Sequence, residues 1–157
     1  MSELKSVLLA IEHASLQRDK LASASARVER SLGFARDQMA QLKNYAADID
    51  VRWMASTSKS LSVELVRHQY QFTERLQQAI TLQTSVIANV EAQLQQAKAH
   101  VTQAEIRLAG LNQILKTRKA GLLQIQNRRE QRQTDEFAAM LITRNRARPM
   151  SGERHDN

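Results

Sequence analysis

An apolar residue recurs every three or four positions through the first third of the chain, and this spacing restricts the fold more than any other feature. From Leu4 to Trp53, thirteen of the fifteen positions reached by alternate steps of three and four are apolar. A repeat that averages 3.5 residues over so long a segment keeps one apolar stripe against one partner helix while both supercoil. The pattern therefore predicts a coiled-coil helix over about residues 3–54.

A second stripe with the same spacing follows a short hydroxyl-rich segment. From Val66 to Ile125, fourteen of the eighteen positions are apolar. Residues 55–60, between the two stripes, read Ala-Ser-Thr-Ser-Lys-Ser. Hydroxyl side chains compete for backbone hydrogen bonds and cap helix starts, so we expect the chain to reverse here. A second helix is expected over about residues 61–142, with Ser60 at its start and Glu64 in its first turn.

These elements predict an all-α protein, a long antiparallel two-helix coiled coil whose second helix is longer than the first. A reversal near Ser58 makes the numbers of facing residues sum to about 117, which pairs Leu4 with Gln113. Residues from about Ile114 to Ile142 then lie beyond the first helix and have no stripe to pack against. We expect a single coiled-coil domain over residues 1–143.

Two further expectations concern the tail and the stripe. Residues 144–157 are basic and contain the only proline, so we expect a disordered tail there. Arg18 and Arg118 interrupt the stripes. Their stems are expected to lie along the stripe with their heads reaching water or a nearby carboxylate, although a role in setting the helix register is an alternative.

Composition argues against most other classes of protein. Aromatic residues make up 4% of the chain, too few for an ordinary compact core, and cysteine is absent, so disulfides and thiolate chemistry are excluded. The net charge of +7 is concentrated at one end, with 13 basic and 11 acidic residues up to residue 111 and 10 basic and 5 acidic after it. Because this excess is a basic tail and not a basic face, no nucleic-acid partner is expected.

Nothing in the sequence predicts an enzyme. No phosphate-binding glycine motif occurs, and the four histidines are far apart, so we expect no catalytic residues, no metal site and no cofactor. A single coiled coil also offers no cavity that would shield a pair of carboxylates. The longest early apolar run, residues 7–11, is far too short for a membrane span, and a cytoplasmic protein is expected.

Two surface features suggest partner binding. From Gln77 to Gln103 the only Asp, Glu, Lys or Arg residues are Glu91 and Lys98. A stretch with so few charges can accept another protein surface at a low desolvation cost. Phe72, just off the stripe and near Leu76, strengthens this interpretation. The alternative is a glutamine-rich face that only contacts water.

The second feature is an apolar cluster on the part of helix two that extends past helix one. Residues 135–142 read Asp-Glu-Phe-Ala-Ala-Met-Leu-Ile and follow a basic stretch containing Arg128, Arg129 and Arg132. A helix with basic and apolar side chains can bind an acidic groove, a membrane surface or the bore of a ring-shaped assembly. Because helix one cannot cover this cluster, we expect a partner to do so.

Two segments of the sequence resemble the FliJ family, the coiled-coil component of the bacterial flagellar type III export apparatus. The first is Tyr-Gln-Phe at residues 70–72 followed by Leu76, Ala79 and Ile80, and the second is Arg-Arg-Glu-Gln at 128–131 followed by Asp-Glu-Phe-Ala at 135–138. The chain departs from relatives in its serine-rich loop and in lacking a tryptophan shortly before the first segment. The resemblance covers nearly the whole chain.

The resemblance implies a cytoplasmic protein of flagellum biogenesis and motility, associated peripherally with the inner membrane at the flagellar base. Its implied partners are the hexameric export ATPase and its regulator, the membrane export gate and the export chaperones that it escorts. The implied shape is similar to the central stalk of rotary ATP synthases. The residues implied to contact the export gate are Phe72, Leu76, Ala79 and Gln83. The residues implied to meet the ATPase or a chaperone are Arg128, Arg129, Arg132, Asp135, Glu136, Phe137 and Met140.

Three alternatives remain open at the level of sequence. One is the equivalent stalk protein of a virulence type III secretion system. Another is a helical nucleic-acid-binding protein that uses the basic tail, and the last is a generic coiled-coil scaffold that dimerises through the exposed end of helix two.

Overall fold

The computed structural model describes residues 2–56 and 62–147, and within them it contains two helices and no strand. Helix α1 runs Ser2–Ser56 and has 55 residues. Helix α2 runs Val63–Ala147 and has 85 residues. The prediction of an all-α helical hairpin with a longer second helix is confirmed. No described helix is both long and apolar enough to cross a membrane.

The predicted apolar stripes are the surfaces along which the side chains lose exposure. All fifteen stripe positions of α1 are buried or half-buried, and thirteen of the eighteen in α2 are as well. The most buried side chains belong to this set: Val7, Ala14, Leu32, Ala35, Met39 and Leu94. Since most helical stability in proteins comes from burying an apolar stripe, these positions hold the two helices together.

The described residues group into two compact units, each containing parts of both helices. One unit is Ile11–Ala109, and the other contains the described residues on either side of it, 2–10 and 110–147. In Ile11–Ala109 the helices are antiparallel, because Ala35 of α1 lies against Gln83 while the later Tyr45 lies against the earlier Phe72. The Tyr45–Phe72 pair agrees with the facing sum predicted from a turn near Ser58. In the other unit Val7 is buried and Leu111 and Leu115 are half-buried.

The start of α2 differs from the sequence prediction. Ser62 caps the helix, since its Oγ accepts a hydrogen bond from the backbone N–H of Leu65 at 3.3 Å and its carbonyl accepts one from Val66 at 3.2 Å. Ser60, the predicted cap, lies outside the described residues. Glu64 is in the first turn as predicted, where its charge is favourable beside the exposed N–H groups. At the end of α1, the Ser56 hydroxyl donates to the carbonyls of Arg52 and Trp53.

The end of α2 also differs. Residues 144–147, assigned to a disordered tail, are helical, and α2 ends at Ala147. Arg144 and Arg146 in the last turn favour this extension because cations stabilise the carboxyl end of a helix. A proline disfavours helical backbone at the residue before it, so a proline at 149 does not prevent residues 144–147 from being helical. Residues 148–157 lie outside the described residues.

Arg18 occupies its stripe position as expected for a long side chain at a helix interface. Its guanidinium bonds the carboxylate of the neighbouring Asp19, with Nε–Oδ1 and NH2–Oδ1 distances of 3.2 and 3.0 Å. The side chain is half-buried at its stripe position, and its charged head lies beside a carboxylate, as long basic side chains at a helix interface commonly do. Arg118, the second interruption, is exposed.

Gly33 provides a test of how the helix itself contributes to stability. It lies in the interior of α1, and a Cβ placed on it meets nothing within 4 Å. We expect Gly33→Ala to raise the free energy of unfolding by about 0.5–1 kcal/mol, because alanine loses less backbone entropy in a helix. Urea denaturation followed by circular dichroism measures this change. The reciprocal variant Ala40→Gly, at another exposed α1 position, should lower stability by a similar amount; a gain there would contradict the explanation.

Candidate partner-binding surfaces

The two sides of the coiled coil in Ile11–Ala109 differ in chemistry. The residue that precedes each stripe residue and the residue that follows it lie on opposite sides of the stripe. We call these two sides its flanks. On one flank Arg36 follows the stripe residue Ala35, and its NH2 lies 3.1 Å from Glu91 Oε1 of α2. On the other flank Tyr45 precedes a stripe residue and contacts Phe72. We call these the charged flank and the aromatic flank.

An edge-to-face aromatic pair marks the aromatic flank. The ring centroids of Tyr45 and Phe72 are 6.0 Å apart and the rings are inclined at 77°, a geometry that aromatic pairs favour. The contact covers neither ring completely, since Tyr45 is 53% exposed and Phe72 is 40% exposed. Leu76 and Ala79, on the next turns of α2, are half-buried. The predicted Phe72, Leu76 and Ala79 therefore all remain at least partly accessible on successive turns of α2.

A shallow groove beside this pair contains residues that the sequence reasoning missed. It is lined by Gln38, Gln41, Leu42, Tyr45 and Gln83. The four from α1 lie outside the two segments on which the predicted contacts were based. Tyr45 could have been predicted from the sequence. The numbers of facing residues were expected to sum to about 117, which places Tyr45 opposite Phe72.

Gln83 differs from the other residues predicted to contact the export gate, because its side chain is hydrogen-bonded to α1. Its side-chain Nε2 donates to the backbone carbonyl of Ala35 at 2.8 Å and to Gln38 Oε1 at 3.3 Å. The side chain is half-buried at a stripe position. Both of its amide protons are therefore directed at α1, and only its carbonyl oxygen is left for another molecule. A polar residue inside a coiled-coil stripe fixes the register at a cost in stability.

We therefore expect Gln83→Leu to raise the free energy of unfolding by about 1 kcal/mol, because a buried methyl-bearing side chain replaces a half-buried amide. Urea denaturation of the variant and the wild-type chain measures the difference. Gln95→Leu, at an exposed position of the same helix, is the matched control and should leave stability almost unchanged. A lower stability for Gln83→Leu would show that the two hydrogen bonds outweigh apolar burial at this position.

The other predicted surface lies on the last part of α2. Every residue from Leu122 to Ala147 is exposed, including Phe137, Met140, Leu141 and Ile142. Several charged side chains of this segment form no ion pair with any described residue: Arg128, Arg129, Arg132, Asp135, Glu136, Arg144 and Arg146. The hydroxyls of Thr134 and Thr143 bond back to the carbonyls of Glu130 and Ala139. This surface, the α2 end, combines bare apolar groups with free guanidinium groups.

The described residues contain no cluster of side chains that could hold a metal ion. No group of three or more His, Cys, Asp or Glu side chains comes together within 2–56 and 62–147. His13 and His100, distant in sequence, line one groove of the Ile11–Ala109 unit together with Arg107. The grooves of that unit are shallow surface features between two helices, and such features bind partner side chains more readily than they enclose a substrate.

A two-helix coiled coil with an aromatic flank and an exposed helix end has the features of a class of proteins that bind other proteins. The comparison with protein families agrees and is more specific. The family described as flagellar FliJ protein matches residues 2–147, and the chain belongs to this family. No curated protein and no solved structure matches the chain. FliJ proteins are non-enzymatic components of flagellar type III protein export, and membership in the family makes this chain a component of that kind.

Proposed function

We propose that the chain is a central-stalk component of the flagellar export apparatus, which inserts the α2 end into the ring of the hexameric export ATPase and contacts the membrane export gate through the aromatic flank. It acts in the cytoplasm at the inner face of the membrane, beside the ATPase and its regulator. It also escorts export chaperones, which exchange on the same surfaces. The chain performs no chemistry, and its effect on ATP turnover comes from favouring the assembled ring.

The exposed α2 end is the observation that carries the ATPase assignment. Four large apolar side chains lie in solvent between residues 137 and 142. Covering each of them would stabilise a complex by about 1.5–3 kcal/mol relative to leaving it in water. The five arginines beside them, which have no ion pair among the described residues, attract an acidic surface and accelerate its encounter with the chain.

The aromatic flank supports the gate assignment. Phe72 and Tyr45 are held against each other with both rings partly open, so a partner meets a surface that is already ordered. Partly exposed aromatic residues of this kind supply much of the energy at protein interfaces. A preorganised surface also avoids the entropic cost of fixing side chains on binding.

For the ATPase contact, we expect Phe137→Ala combined with Met140→Ala to lose most of the chain's stimulation of the export ATPase, by about tenfold or more. The loss should appear both in ATP turnover and in the fraction of hexamer seen by size-exclusion chromatography. Ile106→Ala, which removes an equally exposed apolar side chain elsewhere on α2, should behave as the wild-type chain. If the wild-type chain changes neither turnover nor assembly, the stalk assignment is wrong.

For the gate contact, Phe72→Ala should weaken binding to the purified cytoplasmic domain of the export gate by about tenfold, because it removes one ring of the pair. Isothermal titration calorimetry measures the dissociation constant. The double variant Phe137→Ala with Met140→Ala should retain gate binding. Equal binding by the wild-type and Phe72→Ala chains would remove Phe72 from the interface.

A further inference from the structure

A groove of the Ile11–Ala109 unit that the proposed function does not use brings two histidines and an arginine together. The groove lies between the two helices and has a volume of about 330 Å³. Both helices contribute to its lining: His13, Ala14, Gln17 and Leu21 from α1, and His100, Gln103, Ala104 and Arg107 from α2. His13 precedes Tyr45 by 32 residues, so at 1.5 Å per residue the groove lies about 48 Å along α1 from the aromatic pair.

Small side chains at the helix interface leave the space for this groove. Ala14 and Ala104 both occupy stripe positions, and their numbers nearly match the facing sum of about 117. Ala14 is buried and Ala104 is half-buried, so these two residues form the floor. Two alanines fill less of the interface than two leucines at the same positions would. Longer side chains therefore surround a depression in the surface of the coiled coil.

The charged groups around this depression are all basic. Among the described residues that line the groove, only His13, His100 and Arg107 are ionisable. Glu12 and Glu105, the carboxylates nearest to them in sequence, do not line it. Histidine side chains gain a positive charge as the pH falls through the range around neutrality, whereas arginine is charged throughout. The groove therefore carries one permanent positive charge and two that depend on pH.

The polar side chains of the groove are available to a ligand. Each of them directly precedes a stripe residue, so all five lie on one side of the stripe, and all five are exposed. None makes a hydrogen bond or ion pair with a described residue: His13, Gln17, His100, Gln103 and Arg107. In the same unit, by contrast, the Gln83 amide bonds to α1 and Arg36 pairs with Glu91.

We infer that this groove binds an oxyanion of the phosphate class, either free inorganic phosphate or the phosphate end of a nucleotide. The Arg107 guanidinium offers parallel N–H donors that match two phosphate oxygens. His13 and His100 donate from opposite helices, and the amides of Gln17 and Gln103 add neutral donors. The inference is independent of the proposed function, because it concerns the chain alone.

The chemistry of the lining argues against other small ligands. A metal cation meets the charge of Arg107 and finds two imidazoles, fewer than the three protein ligands of a typical zinc site. An apolar ligand would cover N–H donors without pairing them, which is costly. A tetrahedral oxyanion has at least three acceptor oxygens, so it can accept hydrogen bonds from both helices at once.

The test titrates the full-length chain with sodium sulfate and follows the backbone amide NMR signals of the residues that line the groove. Because the groove is open to water, we expect a dissociation constant of the order of 1 mM. Sulfate keeps both of its charges near neutral pH, so a change of pH acts on the protein alone. Binding should be about tenfold tighter at about pH 6 than at about pH 8, because the two histidines gain their charge between these values.

Variants separate the groove from the general positive charge of the chain. Arg107→Gln should weaken sulfate binding by about fivefold or more, since it removes the permanent charge. His13→Gln combined with His100→Gln should weaken binding at about pH 6 by a similar factor and abolish the pH dependence. The matched control is Arg67→Gln, which removes the same charge from an exposed α2 position outside the groove and should leave binding unchanged. Circular dichroism verifies that each variant keeps the helical fold.

Separate titrations with inorganic phosphate and with ADP identify the source of the ligand. Tighter binding of ADP indicates the phosphate end of a nucleotide, and binding of ADP no tighter than that of phosphate indicates the free anion. The site is wrong if the groove signals do not move with any of the three anions. It is also wrong if Arg67→Gln loses as much affinity as Arg107→Gln, since that result shows only a general attraction of anions to a basic chain. Neither failure affects the proposed contacts with the ATPase and the gate.

Discussion

The burial of one apolar stripe against another is the interaction on which the rest of this structure depends. Isolated helices gain little from their own backbone hydrogen bonds in water, and here there is no sheet, disulfide or compact core within the described residues to support them. The stripe residues of α1 are all covered to some degree, and the most buried of them include Leu32, Ala35 and Met39. Everything else on the two helices is positioned by that contact.

One consequence is that function has to lie beside the stripe and not within it. Two paired helices enclose no cavity for a substrate, so their side chains act through the contacts that they make with another molecule. In Ile11–Ala109 the pairing divides the remaining surface into a flank held by the Arg36–Glu91 ion pair and a flank marked by Tyr45 and Phe72. An exposed ion pair of this kind adds little stability, and its effect is to make one side unsuitable for an apolar partner.

The α2 end follows from the unequal lengths of the helices. α2 has 85 residues and α1 has 55, and from Leu122 onward every described α2 residue is exposed. A helix of this kind keeps apolar side chains in water only at a cost, which a partner can remove by covering them. Membership in the flagellar FliJ family supplies a setting, type III protein export, in which such a partner is expected.

The helices, the stripes, the reversal and the exposed end of α2 could all be predicted from the sequence, because a 3.5-residue repeat specifies which side chains face inward. It also identified Phe72, Leu76 and Ala79 as candidates. The structure adds the edge-to-face geometry of the Tyr45–Phe72 pair, the hydrogen bonds of the Gln83 amide to α1, and the position of Ser62 as the cap of α2. The reason is that a heptad repeat looks the same after a shift of seven residues, so the stripe cannot state which flanking residues meet. That depends on the register of the two helices, which the turn and the contacts of individual polar side chains fix.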